Sequence, residues 1–113
     1  MTDELRPGER FATIVDVLSN YPDVTFGAQG KKRFGTSALK IHDKIFAMLD
    51  SRGQFVVKLP HDRVTRLIDA GHGVHFEAGR GRPMREWFSV DPESTLDWLT
   101  LAKEAMAFVG AER

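Results

Sequence analysis

Ser37-Ala38-Leu39-Lys40-Ile41, His42-Asp43, Lys44-Ile45-Phe46-Ala47-Met48-Leu49: this run decides the fold. Two strand-like stretches are separated by two residues only, and a two-residue connection between strands makes an antiparallel hairpin. Asp43 tolerates the left-handed backbone that such a turn needs. Ser51-Arg52-Gly53 marks a second turn. Gln54 to Leu59 then reads as a third strand, with Phe55, Val56 and Val57 as its apolar content. Strands joined by turns this short are antiparallel, because parallel pairing needs a long crossover.

Working outward toward the N-terminus, Phe11, Ile14, Val15 and Leu18 fall at i, i+3, i+4 and i+7. That stripe predicts an amphipathic helix from about Pro7 to Asn20, ended by Pro22. Residues 23–36 read as irregular, punctuated by Gly27, Gly30 and Gly35, with room for a short strand at Val24 to Phe26. On the C-terminal side, Pro60 opens a helix to about Ala70, with Val64, Leu67 and Ile68 on its inner face. Asp62 sits in its first turn, where the helix dipole favours an acid, and Gly71 is its C-terminal cap. Val74 to Phe76 and Glu86 to Val90 read as two further short strands around the Gly- and Pro-rich Gly79-Arg80-Gly81-Arg82-Pro83.

Asp91 or Ser94, with Pro92, begins the last helix, which runs to about Val109. Trp98, Leu99, Leu101, Ala102, Ala105, Met106, Phe108 and Val109 cover about half its circumference, wider than the ~100° stripe that one sheet face requires. Two uses fit: core against both the sheet and the first helix, or an interface formed by Trp98, Leu101, Ala105 and Phe108. The order is α-β-β-β-α-β-β-α, an α+β fold of two layers with helices packed on an antiparallel sheet. All 113 residues form a single domain with its core at about residues 7–110.

Composition removes several functions. There is no cysteine, which excludes disulfides, thiolate metal sites and Cys nucleophiles. No apolar run reaches the ~18 residues of a membrane span, and Met1-Thr2-Asp3-Glu4 lacks the apolar stretch of a signal peptide, so a cytoplasmic protein without membrane contact is expected. Sixteen Lys+Arg balance sixteen Asp+Glu, so any basic footprint must be local. One is: no acid occurs from Val24 through His42, a stretch that holds Lys31, Lys32, Arg33 and Lys40.

For hydrolysis, Ser37, Ser51, Ser89 and Ser94 lack an elbow motif, no His-Asp partner can be placed beside them, and His42-Asp43 reads as a turn. His72, His75 and Glu77, with His61, are the one cluster of metal-ligand types; they read as a polar loop leading into a strand, so no metal or other cofactor is expected. Gly27-Ala28-Gln29-Gly30-Lys31-Lys32 lacks the spacing of a phosphate-binding loop, and its G-x-x-G has no flanking helices. Arg80-Gly81-Arg82-Pro83, with Arg85 after it, resembles the core of an AT-hook, which lays Arg side chains along a narrow A·T minor groove. Its upstream flank, Glu77-Ala78-Gly79, is not basic as in a typical hook. The plainer reading is a turn whose arginines pair with acids such as Glu86 or stay solvated.

Several segments together carry a family likeness. They are Arg33-Phe34-Gly35-Thr36-Ser37-Ala38-Leu39-Lys40-Ile41 with Lys44-Ile45-Phe46-Ala47, then Val56-Val57-Lys58-Leu59-Pro60, Gly81-Arg82-Pro83-Met84-Arg85-Glu86-Trp87 and Asp97-Trp98-Leu99. In this order they resemble the MmcQ/YjbR-like family of small bacterial proteins over roughly residues 10–109, with His42-Asp43 standing where that family often has Gly-Gly. The resemblance implies the α-β(3)-α-β(2)-α plan shared with type III secretion chaperones and the N-terminal domain of TfoX. It also implies DNA binding through hairpin wings, and it supplies no catalytic residues. Lys31, Lys32, Arg33, Arg80, Arg82 and Arg85 are therefore the expected contacts of a non-enzymatic protein with double-stranded DNA. The competing reading is an interaction module that pairs with itself or another protein through the last helix. A small enzyme or ligand binder is a third, for which no acid–base constellation is legible.

Overall fold

The computed structural model describes residues 7–26, 37–50, 53–77 and 83–111. Its elements are α1 (Pro7–Leu18), β1 (Val24–Phe26), β2 (Ser37–Ile41), β3 (Lys44–Leu49), β4 (Phe55–Lys58), α2 (His61–Asp69), β5 (Gly73–Glu77), β6 (Pro83–Val90) and α3 (Trp98–Gly110). One antiparallel sheet holds the strands in the order β1-β2-β3-β4-β6-β5. This is the α+β architecture that the hairpins imply, and the short strand for which Val24 to Phe26 left room is formed, giving six strands in all. This strand, β1, pairs with β2 through Val24↔Ile41 and Phe26↔Leu39. Three residues are too few for alternation to be legible, but Val24 buries against the core and the pairing covers what would be a bare edge of β2.

The hairpin turn forms as its residues require. His42 and Asp43 have φ of 53° and 68°, the pair of positive values that defines a type I′ turn. After α2, the N–H of His72 donates to Leu67 O at 3.0 Å and that of Gly71 to Ile68 O at 2.9 Å. With Gly71 at φ 84°, this is a Schellman ending. The start of α3 differs from the expected one. Asp97, not Asp91 or Ser94, is its N-cap: Asp97 Oδ2 accepts the Thr100 N–H at 3.0 Å and the Thr100 hydroxyl at 2.7 Å. Asp91 and Ser94 instead close the preceding turn, accepting from Glu93 N and Leu96 N. Short polar side chains serve turns and caps alike, so their identity alone does not fix the helix start.

All three helices lie on one side of the sheet. Phe11, Ile14 and Leu18 of α1, Val64 and Leu67 of α2, and Trp98, Leu101, Ala102, Ala105 and Val109 of α3 share one core cluster. The sheet side chains in that cluster are Leu39, Phe46, Ala47, Phe55, Val57, Phe88 and Val90. Trp98 stacks on Phe55 at 4.5 Å and 12°, and the Arg10 guanidinium lies 3.7 Å from the centre of the Trp98 ring. Burying a Phe or Leu side chain is worth about 1.5–3 kcal/mol, so this seam between the layers dominates stability.

Candidate nucleic-acid interface

Strand alternation fixes what the other side of the sheet carries. Ala47, Val57 and Phe88 are cross-strand neighbours that enter the core. Their sequence neighbours Met48, Val56 and Ser89, also paired with each other, therefore point to the opposite, outer face. Ala38, Lys40, Ile45, Lys58, Val74 and Trp87 join them by the same registers. Among the described residues no helix packs on this face. Its centre is closed, since Val56 is fully buried and Ser89 nearly so, while Ala38, Lys40, Ile45, Met48, Lys58 and Trp87 are half-buried. Val74, on edge strand β5, is 61% exposed.

The register of the sheet shifts at two places, between Leu39 and Lys40, where Phe46 is the extra residue of β3, and between β5 and β6. β5 moves from His75 to Phe76 in one step, while their partners on β6 are Phe88 and Met84. Arg85, Glu86 and Trp87 are thus left over against β5 as a bulge, though β6 stays bonded to β4 through Lys58↔Trp87 and Leu59 N to Glu86 O at 2.9 Å. Bulges re-aim side chains and concentrate beside functional sites. Here Trp87 is turned outward beside Lys58, whose Nζ lies 3.9 Å from Glu86 Oε1. Across the bulge, His75 Nδ1 is buried with no hydrogen-bond partner among the described residues.

Lys31, Lys32 and Arg33, and Arg80 and Arg82, lie outside the described residues, as does the Gly27 to Gly30 stretch; Arg85 lies on β6 within the bulge. The strand ends that carry these segments are described. Residues 27–36 connect β1 to β2 at the end of the sheet where Leu49, Phe55 and Val90 lie. Residues 78–82 connect β5 to β6 at the opposite end and the opposite edge. At ~4.8 Å per strand and ~3.3 Å per residue, the two corners are about 23 Å apart.

The larger signal is the division of charge along the sequence. Residues 24–58 and 73–90, which include the strands, hold ten Lys/Arg against four Asp/Glu, a net +6; of these, Lys31, Lys32, Arg33, Arg52, Arg80 and Arg82 lie outside the described residues, and the described Lys40, Lys44, Lys58 and Arg85 are balanced by Asp43, Asp50, Glu77 and Glu86. The helices and their connections, residues 7–23, 59–72 and 91–111, hold four against nine, a net −5. The zero total therefore conceals basic and acidic stretches of sequence, and among the described residues the helical layer is acidic while the strands are neutral. Ion pairs within the helical layer, such as Arg63 Nε to Glu104 Oε1 at 2.9 Å, neutralise part of its few cations.

The last helix gives its apolar face mainly to its own chain. Trp98, Leu101 and Ala105 are buried in the core, so these three offer no surface to a partner; this corrects the interface expected of them. Phe108 is half-buried beside a groove of ≈ 450 Å³ lined also by Leu59, Pro60, Arg63, Glu104 and Ala107. A second groove of ≈ 380 Å³ flanks Ala107 on the side of Tyr21 and Met106.

One pairing was not legible in the sequence: His72 Nδ1 lies 2.9 Å from Ser94 Oγ, although the two are far apart in the chain. Ser94 Oγ also accepts the Leu96 N–H at 3.0 Å, so the pair ties the loop before α3 to the start of β5. Among the described residues no three His, Asp or Glu side chains are grouped to hold a metal ion, and no helix is long and apolar enough to cross a membrane. The carboxyl of Asp97 is held below its ordinary value by the Thr100 hydroxyl, then by the Thr100 N–H, with smaller help from Arg10 and Lys103.

Compared with protein-family models, curated proteins and solved structures, the chain matches none.

Proposed function

We propose that this protein is a non-enzymatic nucleic-acid-binding module that receives a DNA backbone on the sheet side, acts in the cytoplasm and belongs with the MmcQ/YjbR-like proteins. The observation that supports the reading is the charge division, +6 over residues 24–58 and 73–90 of the sequence against −5 over the helical segments. A polyanion is repelled by the acidic helical layer, which leaves the sheet side as its side of approach. Phosphate contacts of this kind give affinity and salt dependence without sequence reading.

Two variants with the same change in net charge test it. Lys40→Glu alters the outer face and Lys103→Glu the exposed side of α3. By anisotropy of a labelled oligonucleotide, Lys40→Glu weakens binding several-fold and lowers the salt slope by about one phosphate's contribution. Lys103→Glu leaves affinity within about twofold, as a screened charge on the far side should. Equal effects, or no binding by the wild type at low salt, refute the reading.

A second reading is favoured by the two grooves beside Ala107: self-association through the outer strip of α3, with Phe108 rather than Trp98 at its centre. Phe108→Glu then converts a dimeric mass in light scattering to a monomeric one. A monomeric wild type removes this reading.

A further inference from the structure

We infer that the open edge of β5 pairs with the same edge of a second copy of this chain, joining two sheets into one across a two-fold axis. The contact is independent of the polyanion reading and does not involve α3. The sheet has two edges, β1 and β5. β1 has three residues and β5 five, Gly73–Glu77, and among the described residues no strand pairs with the open side of either. Soluble proteins guard such an edge with lysine, proline or a bulge in the edge strand itself. Gly73-Val74-His75-Phe76-Glu77 contains neither Lys nor Pro, and the three extra residues of the bulge belong to β6. Val74 is 61% exposed, the most exposed of the large apolar side chains described.

The hydrogen-bond phase of β5 fixes which groups the edge offers. The Asp91 N–H donates to His72 O at 2.9 Å, and this pair continues the register Gly73↔Val90, Val74↔Ser89. Bonded pairs alternate along an antiparallel ladder, so Val74 bonds to β6 while Gly73 and His75 turn their N–H and C=O to the open side. Antiparallel pairing of β5 with its own copy, centred on His75, sets His75 opposite His75 and Gly73 opposite Glu77. Those are the positions whose groups face outward, so each edge satisfies the other. The same register sets Val74 opposite Phe76 in the closer, non-bonded kind of pair, and an aromatic beside a β-branched residue is a favourable cross-strand couple. Glu77, the one acid of the strand, falls opposite a glycine rather than another acid. Closure also favours this occupant. β5 on the β1 of another copy is a head-to-tail contact that grows without end, whereas β5 on β5 closes at two. Five residues a side make a small interface, so association is expected at about 0.1 mM rather than at nanomolar concentration.

The experiment measures the mass of the full chain by sedimentation equilibrium from about 10 μM to about 1 mM, as wild type, Val74→Lys and Phe108→Glu. Wild type and Phe108→Glu move toward twice the chain mass as concentration rises. Val74→Lys, which changes an exposed side chain and installs the usual edge guard, stays monomeric. Amide hydrogen exchange reads the register. Between dilute and concentrated protein, the Gly73 and His75 amides gain several-fold protection, whereas that of Val74, already bonded to β6, does not change. Should Val74→Lys not fold, exchange in the wild type decides alone. A wild type monomeric throughout overturns the inference and leaves the edge to a strand of another protein. A dimer that Phe108→Glu abolishes or Val74→Lys leaves intact, or Gly73 and His75 amides unchanged as the mass doubles, overturns it as well. None of these outcomes bears on the polyanion reading, which oligonucleotide binding tests separately.

Discussion

Replacing Asp97 with alanine tests the helix on which the core depends. Asp97 Oδ2 takes both the N–H and the hydroxyl of Thr100, at 3.0 and 2.7 Å, at the start of a helix that contributes Trp98, Leu101, Ala102, Ala105 and Val109 to the interior. N-cap replacement by alanine costs about 1 kcal/mol, within a range of roughly 0.5–2. For a chain of this length that is a fall in Tm of about 4 °C. The carboxylate is exposed, so its attraction to Arg10 and Lys103 is screened and the hydrogen bonds supply most of the effect. The pH dependence follows in sign. The folded carboxyl titrates below its ordinary 3.8, so its stabilisation is fully present above that value and is lost as pH falls through the lowered one. Urea unfolding at pH 7 and at about pH 2.5, followed by circular dichroism, should give a wild-type advantage that narrows in acid. Asp97→Asn keeps an acceptor without the charge and should lose less, with no such narrowing. An alanine variant as stable as wild type at pH 7, or a gap unchanged in acid, refutes the assignment of Asp97 as the cap.

Gly73→Ala should be among the most damaging single changes. A Cβ there would meet Ser89 O at 2.1 Å and the Phe88 ring at 2.7 Å, and the first of these is backbone of the paired strand. A loss of about 1–3 kcal/mol in denaturant titration is expected, and a neutral effect would argue against the close approach of β5 and β6. His42→Asn combined with Asp43→Gly should stabilise by about 1 kcal/mol, because both positions hold positive φ that these residues adopt more readily. The ion pair between His42 and Asp23, which this double change removes, is exposed and 4.0 Å long, so it subtracts little; a lower Tm would refute the turn type.

The central hairpin and both amphipathic helices were legible because each repeats a pattern over several residues. Ile14 and Leu18, or Val64 and Leu67, recur at helical spacing and are buried as that spacing requires. What was left open or misplaced was local or non-local in a way that pattern does not carry. β1 is too short to show alternation and exists through its pairing with β2. The start of α3 hinges on which of three short acceptors bonds a particular N–H, and only geometry separates Asp97 from Asp91 and Ser94. The width of the apolar face of α3 fitted either core against the sheet and the first helix or an interface, and the first is what the structure has: the helix lies against both the sheet and α1 and buries Trp98, Leu101 and Ala105 within its own chain. The bulge at Trp87 had no signal at all, since a run of Met, Arg, Glu and Trp looks like any strand until its partner is known. Basic segments were visible as composition, which does not say how they are arranged in space.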